Sequence, residues 1–404
     1  MKVIGISSGT SMVIRAGRVY DGITAIEGKG VDITVAGGLI RDMRPCSGDS
    51  PGAAPEIKEF LDLQEYTVMP GMVDCHVHLA LDGQDFHNAM ALWSQEDLLR
   101  KRIRDDLART LGRGIAAVRD GGDRDWIAIR VRNDAKRELT VPLIRAAGAA
   151  LRNPVKYGSF LGPGVTGEKI AEAVADITRR GADHIKVLVS GVVSFKEYSR
   201  VGEIQFTGGQ LRELVSVAHH RGLNVMAHAS SDKAVRLAVE AGVDSLEHGY
   251  FVRESTLEAM AERGIPWIPT LAPVALQARE PLKDRYSAGE LEVITHTYKR
   301  QQRMVKVASE LGVRLGVGTD AGASGVLHGE GYLEELLLLE EAGLTREQIL
   351  GAATREGAAI LGLEKEMGMV RPGLPPLLIA VRGNPLNDLK ALENIELMLM
   401  PHRG

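Results

Sequence analysis

The chain has 404 residues, 44% hydrophobic and 25% charged, with a formal net charge of −4, enough for one large domain with a well-buried core and a smaller partner. The balanced charge, without long basic runs, excludes the electrostatic footprint of a nucleic-acid binder or of a protein held on an anionic membrane, and no apolar run approaches the roughly 18 residues of a membrane span. Cys46 and Cys75 are the only cysteines, which excludes a disulfide framework and suits a reducing cytoplasm.

The chain opens basic then apolar, Met1-Lys2-Val3-Ile4-Gly5-Ile6, but the apolar part is too short for the core of a signal peptide. A cleaner strand pattern begins at Met12, so residues 1–11 are expected to be an extension that contributes little. From 12 to 66 short alternating runs are broken by turn residues. Val31–Ala36, Gly37-Gly38 and Leu39–Met43 are an example, and they read as antiparallel strands with tight hairpins.

Next comes Pro70-Gly71-Met72-Val73-Asp74-Cys75-His76-Val77-His78. Side chains alternate along a strand, so His76 and His78 share one face while Cys75 and Val77 take the other. From there one phrase recurs: an amphipathic helix, a glycine, a short apolar strand and a polar residue at its end. The glycines are Gly114, Gly181, Gly222, Gly242, Gly264 and Gly312, and the strands run into Asp120, Ser190, His228, His248, Thr270 and Asp320. A glycine after a helix takes the left-handed conformation that closes the helix before the chain turns into a strand.

With the strand of His76 and with Val141–Ala147, the phrase gives eight strands separated by helices, which predicts an α/β fold, a (β/α)8 TIM barrel. A doubly wound open sheet is the alternative, but it gathers its ligands at one switch point and not at many strand ends. After helices around 330–361, Leu377–Val381 and Asn394–Met400 return to strand grammar and are expected to join the N-terminal strands in one small β-sandwich. The expected organisation is thus 1–66 and 364–404 as the two parts of the β-sandwich, with 67–363 as the barrel.

A parallel barrel brings its strand C-termini to one face, where active sites are built. His76, His78, Asp120, Lys186, His228, His248 and Asp320 meet there. Four histidines and an aspartate suit divalent ions such as Zn²⁺, and they are too many for one tetrahedral catalytic ion that keeps a place for water, so two metals are expected. Lys186 lies among Ile185, Val187, Leu188 and Val189, where a free ammonium is costly. A carbamate formed with CO2 and bridging two cations, a Schiff base, and an ion pair with Asp320 or Asp120 all remain open.

Taken in order, the segments around His76 and His78, Val118-Arg119-Asp120-Gly121-Gly122, Ile185–Gly191, Ala227-His228-Ala229, Ser245–Gly249 and Gly318–Gly322 resemble the metal-dependent amidohydrolases, in their imidazolonepropionase-like and prolidase-like branch. The resemblance runs from about Val13 to the C-terminus. It implies a binuclear site, with His76, His78 and Asp320 on the first metal, His228 and His248 on the second, and carboxylated Lys186 and a hydroxide between them. It implies hydrolysis of an amide-type C–N bond in a small molecule such as a dipeptide or N-acyl amino acid. Two cations lower the pKa of a bound water toward roughly 7. The resemblance thus implies attack of the resulting hydroxide on the carbonyl, with Asp320 expected to act as base and then acid.

The loops after the third and fourth strands depart from the family pattern. Leu151–Phe160 lacks the usual Gly-Gly-His-Gly, and Val192 replaces a glycine before Ser194–Arg200. A cation and a tyrosine among Arg152, Lys156, Tyr157, Lys196, Tyr198 and Arg200 are expected to hold a substrate carboxylate. His328 matches a family position near the site and reads equally as a substrate contact or a helix entry, His184 reads as a hydrogen-bonded core or floor histidine, and Asp120 as a structural or supporting residue. The family's Pro-Gly-Lys-x-Ala-Asp-Leu appears as Pro372-Gly373-Leu374-Pro375-Pro376-Leu377-Leu378, far from the proposed chemistry. The rival readings are a mononuclear deaminase or cyclic-amide hydrolase, and a non-catalytic scaffold. A deaminase would carry a glutamate after the fifth strand, where Ala229-Ser230-Ser231-Asp232-Lys233 offers none. The sequence leaves a homo-oligomer open.

Overall fold

The computed structural model describes residues 1–26, 30–46 and 59–402. In chain order, the strands before the first helix are β1 (Lys2–Ile6), β2 (Ser11–Tyr20), β3 (Ala25–Ile26), β4 (Val31–Ala36), β5 (Leu39–Pro45), β6 (Glu59–Pro70) and β7 (Met72–Val77). Strands β8 (Ile115–Asp120), β9 (Leu143–Ala146), β10 (Ile185–Leu188), β11 (Val225–Ser231), β12 (Ser245–Phe251) and β13 (Trp267–Ile268) alternate with helices. β14 (Leu378–Arg382) and β15 (Ile395–Pro401) come last.

Both ends of the chain feed one sheet in the order β1-β15-β14-β6-β2-β4-β5, with β3 on β2. Its buried face packs Ile14, Ile33, Val35, Ile40 and Val68 against Leu378 and Leu399. The hairpin at Gly37-Gly38 forms as the sequence predicts: Ala36 pairs with Leu39 and both glycines have positive φ, the primed turn that matches strand twist. Two expectations need correction. The N-terminal strands are not all antiparallel, because β2 runs parallel to β6 and β1 parallel to β15. Residues 1–11 are also no idle extension. β1 pairs Lys2–Ile6 with Leu397–Pro401, and Ile6 is buried, because its alternating side chains extend a face already apolar on β15. The expected boundary at 66/67 falls inside β6, a single strand that carries the chain from this sheet to β7.

The remaining strands form parallel sheets β7-β8-β9 and β10-β11-β12-β13. β7, β8, β10 and β12 are buried along their whole length, as strands covered on both faces must be. Outside them lie amphipathic helices such as Ile170–Arg179, which buries Ile170, Val174 and Ile177 at helical spacing. Thr207 and Ser287 start their helices with reciprocal capping boxes. All six glycines of the recurring phrase have φ between 65° and 83°, so the punctuation read from sequence is a physical requirement.

Hydrogen bonds also cross the two seams. Leu151 N–H donates to the Lys186 carbonyl at 2.8 Å, joining the end of the third strand run to β10. Beyond β13, Gly316 N–H donates to Trp267 O at 3.0 Å, Cys75 N–H to Val317 O at 2.8 Å, and Asp320 N–H to His76 O at 2.7 Å. The eighth predicted strand is therefore present as isolated bridges and not as a regular ladder. Gly316 and Gly318 explain this: a Cβ on either would meet Ile360 or Ile268 at 2.6 or 2.4 Å, so the backbone runs too close to its neighbours for ordinary side chains. The Asp74 carboxylate stands in for the missing ladder, accepting from Thr319 N at 3.0 Å and Thr319 Oγ1 at 2.7 Å. No described helix is long and apolar enough to cross a membrane.

Candidate metal centre

His76 and His78 share a face of β7 and its extension, as parity requires. Their Nε2 atoms lie 3.6 and 3.4 Å from Asp320 Oδ1, and the three side chains form one compact group of potential metal ligands. These separations are long for hydrogen bonds. They match the spacing of about 3.3 Å between donors around one tetrahedral ion with bonds of about 2.0–2.1 Å. Asp320 reaches the group from a left-handed backbone, φ 57°.

His228 lies midway along β11 and His248 midway along β12, their rings 4.4 Å apart, with His248 5.0 Å from His76. His228 Nε2 faces Gly191 O at 3.3 Å, which leaves Nδ1 for a ligand. The Thr270 hydroxyl donates to Pro269 O at 2.7 Å, so its oxygen accepts from His248 Nδ1–H at 2.8 Å, and Nε2 carries the free lone pair. Burial keeps all four imidazoles neutral, lowering His78 and His228 to about 3 and depressing His76 and His248 well below the usual range. Neutral imidazole is the form that binds metal.

Lys186 is 1% exposed. Its Nζ lies 3.2 Å from His76 Nε2, the one hydrogen-bond partner recorded for it among the described residues. Burial lowers its pKa, and burial raises that of Asp320. An ammonium facing an imidazole nitrogen, with no carboxylate within ion-pair distance among the described residues, is an expensive arrangement. The donor set as a whole fits divalent metal, and Lys186 fits as a neutral or carboxylated amine.

Sequence reasoning missed the groups that hold these ligands. Glu247 is fully buried, and its Oε2 accepts from His76 Nδ1–H at 2.9 Å. Its Oε1 accepts from Arg119 at 2.8 Å and from Ser245 Oγ at 2.7 Å. Strict alternation would send Glu247 and His248 to opposite faces. The φ of 70° at His248 brings both to the site, with Gln301 and Trp267 donating to the His248 carbonyl at 2.9 and 3.1 Å. The available signal was Glu247 sharing the parity of Ser245 beside a ligand histidine.

Asp120 is structural, accepting from Leu79 N at 2.9 Å and Gly122 N at 2.8 Å. His184 is buried two residues before Lys186, but neither ring nitrogen has a hydrogen-bond partner among the described residues, so the hydrogen-bonded histidine expected there is not formed.

A cavity of about 680 Å³ opens over the ligands. Of the expected substrate contacts only Tyr157 lines it. Arg152 is buried and donates to the carbonyls of Gly162, Asn153, Pro154 and Lys156, so it knots its own loop. Lys156 donates to Ile204 O and pairs with Glu203. Tyr198 packs edge-on against Phe251 and His296. His328 bonds Leu81 O at 2.9 Å, tying two loops together outside the cavity lining. Arg285, which sequence reasoning did not single out, lines the wall.

A buried constellation of four histidines, a lysine and an aspartate, on parallel strands alternating with helices, defines a class of hydrolase. The Amidohydrolase family model matches residues 67–398, and the chain belongs to that family. It is 26% identical over 358 residues to the ochratoxinase of Aspergillus niger, covering 81% of this chain and 72% of that protein. It is 27% identical over 362 residues to an imidazolonepropionase of Rhizorhabdus wittichii, covering 81% and 82%. A solved Xaa-Pro dipeptidase with methionine bound in its active site superposes with a TM-score of 0.81 at 27% identity, covering 97% of this chain and 98% of that one. The protein is a hydrolase acting on carbon–nitrogen bonds.

Proposed function

We propose that this protein is a binuclear metal-dependent amidohydrolase cleaving the amide of a small molecule, a dipeptide, N-acyl amino acid or related amide. Its two parallel sheets and the 313–321 run make a (β/α)8 barrel, and segments 1–66 and 364–404 make the accompanying β domain. His76, His78 and Asp320 would hold one ion, His228 and His248 the other, with Lys186 as a carbamate between them. Zn²⁺ is the ion expected from such ligands.

The observation that carries this reading is Lys186: a fully enclosed lysine, in contact with a ligand imidazole and with no carboxylate, has no ordinary structural use. Bound divalent metal supplies Lewis acidity to the amide carbonyl and to water. The protein's own part is then definite. Water adds to the carbonyl carbon and gives a proton to the Asp320 carboxylate. Asp320 returns that proton to the nitrogen, the C–N bond breaks, and a carboxylic acid and an amine result. Thr270 and Glu247 fix the tautomers of His248 and His76 throughout.

A mononuclear cyclic-amide hydrolase is the second reading, favoured by the compactness of the His76, His78 and Asp320 group. Metal content separates the two, about two ions per subunit against one. Hydrolysis of no amide, lactam or carbamate by metal-loaded enzyme prepared with bicarbonate would overturn both.

A further inference from the structure

The cavity is lined with a chemistry that the metal ligands do not require. The chain is poor in aromatics, with 6 Phe and 8 Tyr among 404 residues. Three of those phenylalanines and three of the tyrosines, Phe86, Phe160, Phe195, Tyr157, Tyr250 and Tyr286, surround this one space. They stand in edge-packed groups: Phe86 on Phe160 at 5.1 Å, Tyr157 on Phe160 at 5.9 Å, and Phe195 on Tyr286 at 5.8 Å. Leucine and valine fill much of the remaining wall, while Phe86 stays 45% and Val192 44% exposed at its edge. A volume of about 680 Å³ lies in the range that encloses a drug-sized molecule, more room than a small dipeptide needs.

Charge on the wall is sparse. Lys186 and Asp320 belong to the reactive centre, and Asp85 caps a helix by accepting from His87 N and Asn88 N. Arg285 remains. Arg285 and Ser324 are both exposed at the cavity rim; the guanidinium donates to Ser324 Oγ at 3.2 Å, and no carboxylate pairs with it among the described residues. Ser324 follows Asp320 by four residues, so their backbones lie at most roughly 14 Å apart. A planar fork of donors at the rim of an apolar wall matches a carboxylate better than any neutral group.

We propose that the substrate is an aromatic amide bearing a free carboxylate, an N-aroyl amino acid or a similar conjugate. Its rings lie against the Phe and Tyr wall, and its carboxylate is held by Arg285 and Ser324. This rests on the amidohydrolase reading above and adds to it the side of the cavity that chooses the substrate. Hydrolysis consumes one water and yields an aromatic acid and an amino acid.

The test uses metal-loaded full-length protein with three probes: N-(2-naphthoyl)-phenylalanine, its C-terminal carboxamide, and N-acetyl-phenylalanine. A charge-assisted contact at an exposed rim predicts a preference of about 2- to 5-fold in kcat/KM for the free acid over its carboxamide. The naphthoyl compound should exceed the acetyl compound by a similar factor. In Arg285→Gln the acid-to-carboxamide ratio should fall toward one, mainly through KM, and Arg285→Lys should retain an intermediate ratio. A wild-type enzyme indifferent to the carboxylate or to the ring, or an Arg285→Gln variant that keeps the preference, overturns this inference and leaves the amidohydrolase reading standing. Hydrolysis of none of the three, nor of any other amide, overturns both.

Discussion

Glu247 is where the chemistry of the site meets its support. Its carboxylate links His76 to Arg119 and Ser245 inside a fully buried network, and a carboxylate behind a ligand histidine fixes both ring and tautomer. Glu247→Gln keeps the shape and loses the charge, so metal affinity should fall about 10- to 100-fold, measured by competition with a chelator. Unchanged affinity would reduce Glu247 to core packing. The proposed ligands stand out in the sequence because His76 and His78 share one strand pattern, and Lys186, His228, His248 and Asp320 each lie on the run that follows a glycine-punctuated helix. Glu247 was not, since its role depends on the left-handed φ at His248, which no alternation rule anticipates. Arg152 failed the other way. A loop cation looks like a substrate contact until its bonds to four carbonyls are seen.

Between elements, Asp74 joins β7 to the run that carries Asp320, bonding to Thr319 twice and to His76 N at 3.2 Å. Asp74→Ala strands buried donors and should cost about 2–4 kcal/mol, with loss of activity beyond the loss of stability because Asp320 is no longer held. Denaturant unfolding beside turnover of the folded fraction checks both. This irregular eighth element was written in Gly316 and Gly318, but sequence alone does not tell a glycine for close approach from one for a turn. In the terminal sheet, β2 and β4 share the Arg15–Asp32 pair at 2.8 Å. Arg15 holds Asp32 below the usual carboxylate range, so the pair's contribution is complete above about pH 3.9 and fades as pH falls through the lower folded value. Arg15→Met should therefore destabilise more at pH 6 than at pH 2.5, by chemical denaturation at both.

At the scale of the molecule, one sheet fastens the two chain ends together and delivers the chain through β6 into β7. A chain starting at Met12 loses β1 and uncovers β15, and burial of Ile6 alone is worth about 1.5–3 kcal/mol. It should melt measurably lower, and an unchanged melting temperature would restore the idle extension. This pairing was illegible beforehand because β1 and β15 lie at opposite ends of the chain, and local pattern carries no information on such partners. The alternating helices and strands, whose signals are local, were legible nearly throughout. The central claim, that Lys186 completes a two-metal site, is tested most directly by metal content per folded subunit in wild type and Lys186→Ala, both prepared with bicarbonate and excess Zn²⁺. The account predicts about two ions in the wild type and a marked loss in the variant. Two ions in both would contradict it.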